Sequence, residues 1–308
     1  MAIILSGMHF LENFKANISQ IGLGNLLKVL GLIAFTAFLI FYPASVPRES
    51  SEAGPGVDYA YVEHVLASYS DGVHGYSYGI CGYSVESRPI YYYVIGEGNE
   101  TILILGGLHG DEPKGTYACL EILANLTESE YLLKRYRFVV IPLCNPDGAA
   151  TFRRRNLRDV DLNRDFYDFS QPETQAIRRI FVESSPVLLI DVHESLSGEP
   201  IIIYANNTKS RLLARFFSLE TDIPGFLAAD VGQSANFAEK NGIYGVIIEL
   251  PILSWKYKNG SIIVWRFIES WARFERNGMH IKERYAPHRL NVDLTCGVGG
   301  KVFDGRGP

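Results

Sequence analysis

Short apolar runs alternate with amphipathic stretches along most of the chain. Runs such as PIYYYVI (residues 89–95) are rich in β-branched and aromatic residues and are typical of strands. The amphipathic stretches repeat their apolar residues at helical spacing. The predicted strands cover residues 89–95, 101–107, 137–143, 187–192, 201–205 and 245–250, and the predicted helices cover residues 57–69, 112–126, 172–184, 210–220, 234–242 and 261–274. This alternation predicts an α/β domain whose mostly parallel sheet is covered by helices on both faces.

One apolar segment near the N-terminus differs from the others because it has no polar face. Residues 29–46 contain no charged side chain. Residues 26–43 would span about 27 Å as a helix, close to the bilayer hydrocarbon core of about 30 Å. We therefore predict one N-terminal transmembrane helix that anchors the chain in a membrane. A secreted chain with a cleaved signal peptide is the alternative, but the long leader before the apolar run favours the anchor.

The flanking charges and the glycosylation motifs predict where the rest of the chain resides. Two lysines lie on the N-terminal side of the apolar run, which weakly favours an internal N-terminus and an external body. Five N-x-[ST] motifs suit an exterior location; they begin at Asn17, Asn99, Asn125, Asn206 and Asn259. We expect a leader and membrane segment at 1–46, a linker at 47–56, one folded domain at 57–280 and a tail of unknown role at 281–308.

Composition excludes several classes of protein. Of the 308 residues, 47% are hydrophobic, which excludes a disordered chain. The formal net charge of −5 argues against a general nucleic-acid binder, which needs a basic surface. Four cysteines without a CxxC pair argue against both a disulfide scaffold and a thiolate zinc site. The oligomeric state stays open.

Three residues could form a metal site at the ends of predicted strands. His109 and Glu112 lie where a strand meets a helix, and His193 directly follows the apolar strand VLLIDV. An isolated HxxE pair is more often a helix-capping arrangement, and a histidine at a strand exit is more often structural. Together, two imidazoles and one carboxylate make up a catalytic zinc site with an open fourth position.

An arginine-rich segment and one glutamate are further candidates for chemistry. Residues 153–164 contain five arginines, and the aspartates between them argue against a surface that binds a row of phosphates. An arginine fork next to an asparagine suits a planar carboxylate. Glu249 lies inside the apolar strand GVIIEL, where burial would raise its pKa as a general base requires. A structural ion pair between Glu249 and an arginine is the alternative.

These segments follow one another in a recognisable order. HGDE, NPDG, RRRN, VDLNRDF, PET, DVHE and IEL occur in sequence between Ile104 and Pro251. The constellation resembles the zinc carboxypeptidase family, the carboxypeptidase A-like metallocarboxypeptidases. The resemblance implies a single three-layer α/β/α domain with a mostly parallel mixed sheet, binding one zinc ion per chain. It implies that the zinc ligands are His109, Glu112 and His193.

The same resemblance implies roles for the remaining candidates. Glu249 would be the general base, and Arg154 would polarise the scissile carbonyl, with Arg153 or Arg155 in its place if the local register differs. It also makes Asn163 and Arg164 grip the terminal carboxylate of the substrate, makes Asp161 orient His109, and puts the side-chain specificity position near Ala235. Only 80 residues separate Glu112 from His193, a compactness similar to that of murein-peptide amidases.

The implied function is hydrolysis of the amide bond next to a free C-terminal carboxylate of a peptide. A water activated by zinc would attack the bond, with Glu249 moving the proton. Alternatives are a deacylase of the aspartoacylase or succinylglutamate desuccinylase type, a murein tripeptide amidase, and a non-catalytic binding module. NPDG and PET favour the carboxypeptidase, and the complete ligand set disfavours the binding module. No nucleic-acid partner is expected.

Overall fold

The computed structural model describes residues 62, 64–65, 76–205, 208–227, 232–252 and 260–276. The chain divides into two units, Met1–Ala53 and Gly54–Pro308, and every described residue belongs to the second. The predicted transmembrane segment, most of the first predicted helix and the C-terminal tail lie outside the described residues. Within the described ranges, none of the helices combines the length and apolar character that a membrane crossing requires.

Eight strands form one sheet, and seven α-helices accompany it in the described part of the chain. The strands are β1 (Ser77–Tyr83), β2 (Pro89–Ile95), β3 (Glu100–Gly106), β4 (Tyr136–Ile141), β5 (Leu188–Ser195), β6 (Ile201–Tyr204), β7 (Gly225–Leu227) and β8 (Tyr244–Pro251). The helices are α1 (Pro113–Leu126), α2 (Glu130–Arg135), α3 (Pro146–Ala150), α4 (Pro172–Ser184), α5 (Thr208–Thr221), α6 (Ser234–Lys240) and α7 (Ser261–Arg276). A 3-10 turn covers Leu162–Arg164.

The sheet is mixed, with a parallel centre. Its strand order is β1-β2-β4-β3-β5-β8-β6-β7, and β4, β3, β5 and β8 run parallel to one another. Antiparallel pairing joins β1 to β2, β2 to β4, and β6 to β8. The predicted mixed α/β fold is therefore confirmed. The edge strands β1 and β7 were not predicted, because their exposed faces and glycines weaken the strand pattern.

Helices cover the two faces of the sheet. On one face α1, α5 and α7 bury a core that includes Phe138, Ile248 and Trp271. On the other face α4 and α6 pack with a second core that includes Leu103 and Phe181. Strands β3 and β5 are almost wholly buried, because both faces are covered and the side chains alternate between the two cores.

The carboxyl ends of the central strands meet at one edge of the sheet. Gly106 at the end of β3 pairs with Val192 of β5, and His193 of β5 pairs with Glu249 of β8. Gly107 follows β3 with a φ of +61°, a left-handed conformation that suits glycine. A side chain there would also meet the Thr116 hydroxyl at 2.5 Å. The chain can therefore turn sharply, which brings the following loop over the end of β5.

Candidate metal centre

Three donor groups converge above the ends of β3 and β5. His109 Nδ1 lies 2.8 Å from Glu112 Oε1, and His193 Nδ1 lies 2.8 Å from Glu112 Oε2. The two Nδ1 atoms are 3.0 Å apart. The three residues thus offer two ring nitrogens and a carboxylate to one point, as the sequence predicted for a metal site.

The outward-facing ring nitrogens each have a carboxylate partner. His109 Nε2 lies 2.9 Å from Asp161 Oδ1, and His193 Nε2 lies 2.9 Å from Asp191 Oδ2. A hydrogen on each Nε2 is donated to its carboxylate, which leaves a lone pair on each Nδ1 directed at the common point. The family resemblance implied the role of Asp161, but sequence reasoning missed that of Asp191, although alternation along β5 places both Asp191 and His193 on one side of the strand.

The electrostatics of this group call for a cation at its centre. Two lone pairs and a carboxylate facing one another at these distances repel unless positive charge lies between them. Burial disfavours a proton on His193, yet Asp191 and Glu112 outweigh it and hold the His193 pKa well above its usual range. Burial likewise opposes ionisation of Glu112, but hydrogen bonds that the histidines donate when protons on Nδ1 take the place of a cation outweigh it and lower the Glu112 pKa. Two imidazoles and one carboxylate, each oriented by neighbours, fit zinc.

Glu112 is held in place from β5. It directly precedes α1, whose first helical residue is Pro113, and makes no side-chain cap to that helix. Glu194 fills that role: its Oε2 accepts the Lys114 backbone N–H at 2.8 Å. The backbone N–H of Glu194 donates to Glu112 Oε2 at 3.2 Å. Glu194 therefore fixes both the start of α1 and the carboxylate of Glu112. Sequence reasoning missed both contacts.

The converging residues His109, Glu112 and His193 are called the metal group below. Of the arginine candidates, Arg154 reaches this group. Its Nη1 lies 2.8 Å from Glu112 Oε1, and its Nε lies 3.5 Å from Asp161 Oδ2. The Arg155 guanidinium instead lies 3.7 Å from Asp159. The Arg154 backbone carbonyl accepts the Gly110 N–H at 3.4 Å, which ties this segment to the loop that carries His109. The side chain of Arg154 is 45% exposed, so it also faces the open side of the group.

The predicted carboxylate clamp lies on the 3-10 turn beside His193. Asn163 is 3% exposed, and its Oδ1 accepts the Ser234 backbone N–H at 3.0 Å, which fixes the orientation of the amide. Asn163 Nδ2 lies 3.3 Å from His193 Nε2. Because the single hydrogen on Nε2 goes to Asp191, the Asn163 N–H groups remain for another acceptor. Arg164 is exposed, and its Nη1 donates to the Asn163 carbonyl at 2.9 Å.

Glu249 lies next to the metal group, opposite His193 on the neighbouring strand. Within the described residues its carboxylate has no ion pair or hydrogen bond, so the structure provides no arginine partner for it there. Burial raises the Glu249 pKa; the charge of His193 opposes this shift, while those of Glu112 and Asp191 add to it. A partly buried carboxyl with a raised pKa has the protonation behaviour of a general base or acid.

Ala235, predicted near the specificity position, is not brought to the surface of the site. It is fully buried with Ala205 and Ile247 in a small apolar cluster. The chain folds this way because α6 packs closely on β8: a side chain at Gly245 would meet the Ala235 carbonyl at 2.6 Å. The residue before it, Ser234, is the one that reaches the site, where it contacts Asp191 and Asn163, and no sequence motif indicated this.

The comparisons with known proteins agree with this geometry. A family model described as zinc carboxypeptidase matches residues 59–215, slightly more than half of the chain. Carboxypeptidase 2 of Trichophyton tonsurans is 33% identical over 113 residues, which are 34% of this chain and 21% of that protein. Carboxypeptidase D of Homo sapiens is 34% identical over 94 residues, 25% of this chain and 7% of that protein. The chain thus spans about a fifth or less of the length of these relatives.

Two solved structures that share the fold are described as metallo-carboxypeptidases. A metallo-carboxypeptidase from Burkholderia cenocepacia aligns with a TM-score of 0.62 and 14% identity, over 70% of this chain and 68% of that one. A metallo-carboxypeptidase from Pseudomonas aeruginosa aligns with a TM-score of 0.60 and 16% identity, over 71% and 68% of the two chains. At such low identity these matches show that the fold is shared.

Proposed function

Because the chain belongs to the zinc carboxypeptidase family, we propose that it hydrolyses the amide bond next to a free C-terminal carboxylate of a peptide. One observation carries the proposal: His109 Nδ1, His193 Nδ1 and the Glu112 carboxylate converge on one point. Glu249 on β8 and the Arg154 guanidinium lie beside that point. The group thus has the parts that amide hydrolysis needs, namely a metal set, a base and an electrophilic donor.

The three converging residues would hold one zinc ion. Bound zinc supplies Lewis acidity, which brings the pKa of a water toward about 7 and polarises a carbonyl. The chain contributes the orientation of the ligands. Asp161 and Asp191 hold the histidine rings so that Nδ1 faces inward, and Glu194 holds the Glu112 carboxylate. Each ligand is therefore preorganised by a neighbour.

Glu249 acts as the proton carrier. Its raised pKa lets it accept a proton from the attacking water and deliver the same proton to the leaving amine. Arg154 directs its guanidinium N–H groups at the oxygen that gains charge when the carbonyl is attacked. A well-placed donor of this kind contributes about 3–4 kcal/mol to the stabilisation of the transition state.

Asn163 and Arg164 restrict cleavage to the end of a peptide. The Asn163 amide donates through the N–H groups that His193 does not use, and Arg164 offers an exposed guanidinium fork from the same turn. A planar carboxylate can accept from both residues. Since a C-terminal carboxylate is a single group at the chain end, this clamp makes the enzyme an exopeptidase.

Purified protein tests the proposal directly. Peptides with free and amidated C-termini, N-acyl amino acids and a murein tripeptide are incubated with the protein, and the products are identified by mass spectrometry. Release of the C-terminal residue from free peptides alone, abolished by a chelator and restored by zinc, is the expected result. Hydrolysis of only the N-acyl amino acids, or only of the murein peptide, would replace this proposal with the corresponding alternative.

A base variant and a matched control complete that experiment. Glu249→Gln should still bind zinc and lose nearly all turnover. Glu275→Gln removes another partly buried glutamate with a raised pKa, near Tyr136 and remote from the metal group, and should keep full activity. Normal turnover in Glu249→Gln would contradict the role of this residue.

The domain is proposed to act outside the cell, tethered by the N-terminal apolar segment. The uncharged run at residues 29–46 supports this, as does the exposure of Asn99 and Asn125 in two glycosylation motifs. Protease added to intact cells that express the full chain should remove the domain, and membranes should retain it after a salt wash. Protection from the protease would refute the external location, and release into the medium would favour a cleaved signal.

A further inference from the structure

Ser234 is a fully buried serine at the start of α6, and it contacts two parts of the candidate site at once. We infer that Ser234 is a positioning residue that holds the metal ligand His193 through Asp191. The inference rests on the proposed function, because it assumes that the metal group binds zinc. It goes beyond that function in assigning a role to a residue that no motif indicates.

A short chain of hydrogen bonds connects Ser234 to the metal ligand. The Ser234 hydroxyl donates to Asp191 Oδ2 at 2.5 Å, and the same oxygen lies 2.9 Å from His193 Nε2. The other oxygen, Asp191 Oδ1, is buried and has no hydrogen-bond partner among the described residues. Both hydrogen bonds to this carboxylate therefore fall on one oxygen, and Ser234 supplies one of the two.

The physical consequence follows from the burial of Asp191. An ionised carboxylate without water needs donors, and Asp191 is 0% exposed. Without the serine hydroxyl, the carboxylate keeps a single hydrogen-bond donor, His193, and its orientation is less firmly fixed. His193 then loses the fixed acceptor that keeps the hydrogen on Nε2 and the lone pair on Nδ1. Loss of such outer partners typically weakens metal binding by about 10–100-fold.

The backbone of Ser234 has a separate task. Its N–H donates to Asn163 Oδ1, which orients the amide proposed to bind the substrate carboxylate. An alanine at this position keeps the N–H and removes only the hydroxyl. The two tasks can therefore be separated: the hydroxyl affects the metal and the backbone affects the substrate.

Close packing explains why Ser234 can reach both groups. Gly232, two residues before Ser234, lies against the 3-10 turn, where a side chain would come within 2.1 Å of the Arg164 carbonyl. The Gly232 carbonyl also accepts the Phe166 N–H at 3.2 Å. The N-terminus of α6 is thus fixed against the turn that carries Asn163, directly beside β5.

Zinc titration of the apo-protein tests the inference without substrate. Zinc affinity is measured by competition with a chromophoric chelator for wild type, Ser234→Ala and Ser270→Ala. Ser270 is a matched control because it is also fully buried and donates to a carboxylate, Glu220 Oε2, at 2.6 Å, but on α7. Ser234→Ala should bind zinc about 10–100-fold more weakly, and Ser270→Ala should match wild type. At saturating zinc, the KM of Ser234→Ala for a C-terminal peptide should stay within about twofold of wild type, because the N–H remains.

A double-mutant cycle separates this role from a general effect on folding. In an Asp191→Ala background, which has no acceptor for the serine hydroxyl, Ser234→Ala should change zinc affinity little further. Wild-type zinc affinity in Ser234→Ala, or an equal loss in both backgrounds, would overturn the inference. Should Ser234→Ala fail to fold, Ser234→Gly removes the same hydroxyl without adding volume, and the same criteria apply to it.

The outcomes also distinguish this inference from the proposed function. Weakened zinc binding in Ser234→Ala together with no peptide hydrolysis in wild type would refute the function and support the positioning role. Unchanged zinc binding with normal hydrolysis would refute the positioning role alone. A wild-type chain that binds no zinc would refute both.

Discussion

Replacement of Arg154 by alanine tests which arginine of the cluster serves the reaction. The Arg154 side chain is 45% exposed and pairs with Glu112 at 2.8 Å. Exposed ion pairs contribute about 0–1 kcal/mol to stability, so the free energy of unfolding should change by less than about 1 kcal/mol. A single donor to the transition-state oxyanion contributes about 3–4 kcal/mol. We therefore expect kcat to fall by about 10²–10³-fold with the fold intact.

Steady-state kinetics on a C-terminal peptide and chemical denaturation measure the two quantities separately. Arg155→Ala is the matched control, because Arg155 is 54% exposed and pairs with Asp159 instead of the metal group. Its kcat should stay within about threefold of wild type. A large loss in Arg155→Ala with near-normal turnover in Arg154→Ala would refute the assignment and shift the role along the cluster.

Three further changes probe the metal group. Asp161→Asn should weaken zinc binding by about 10–100-fold in a chelator competition, because His109 exchanges a charged carboxylate acceptor for a weaker neutral amide oxygen. Zinc at 100 times its dissociation constant should stabilise the apo-protein by about 2.7 kcal/mol in denaturant titrations; no shift would mean no folded-state site. Burial raises the Glu249 pKa, so the ionised form destabilises the fold. Zinc-free Glu249→Gln should therefore melt above wild type at pH 7, and the difference should vanish below about pH 4, where the unfolded carboxyl is protonated too.

The pattern of apolar residues predicted the central architecture well. The predicted strand at 89–95 and the predicted helix at 172–184 coincide with β2 and α4. Central strands are buried on both faces, so their apolar character is strong and local. The edge strand β1 was missed because several of its side chains face solvent and two of its residues are glycines. The N-terminal anchor and the C-terminal tail stay predictions.

For the candidate site, the sequence by itself determined the kinds of ligand and their order along the chain. His109, Glu112 and His193 were predicted as a set, because zinc requires such donors and the strand ends bring them to one edge. The structure brings these three residues together, and their role as zinc ligands is part of the proposed function. Ala235, which the family resemblance put near the specificity position, is buried beside Ile247.

Only the tertiary structure decided which atoms face the metal and what holds them. Asp191 orients His193 on its own strand, whereas Glu194 and Ser234 act through contacts with residues on other elements. Such contacts depend on strand register and on how closely a helix packs, and a one-residue shift would turn these side chains away. Local patterns in the sequence determine strands, helices and donor types, whereas the meeting of side chains tens of positions apart is set by packing.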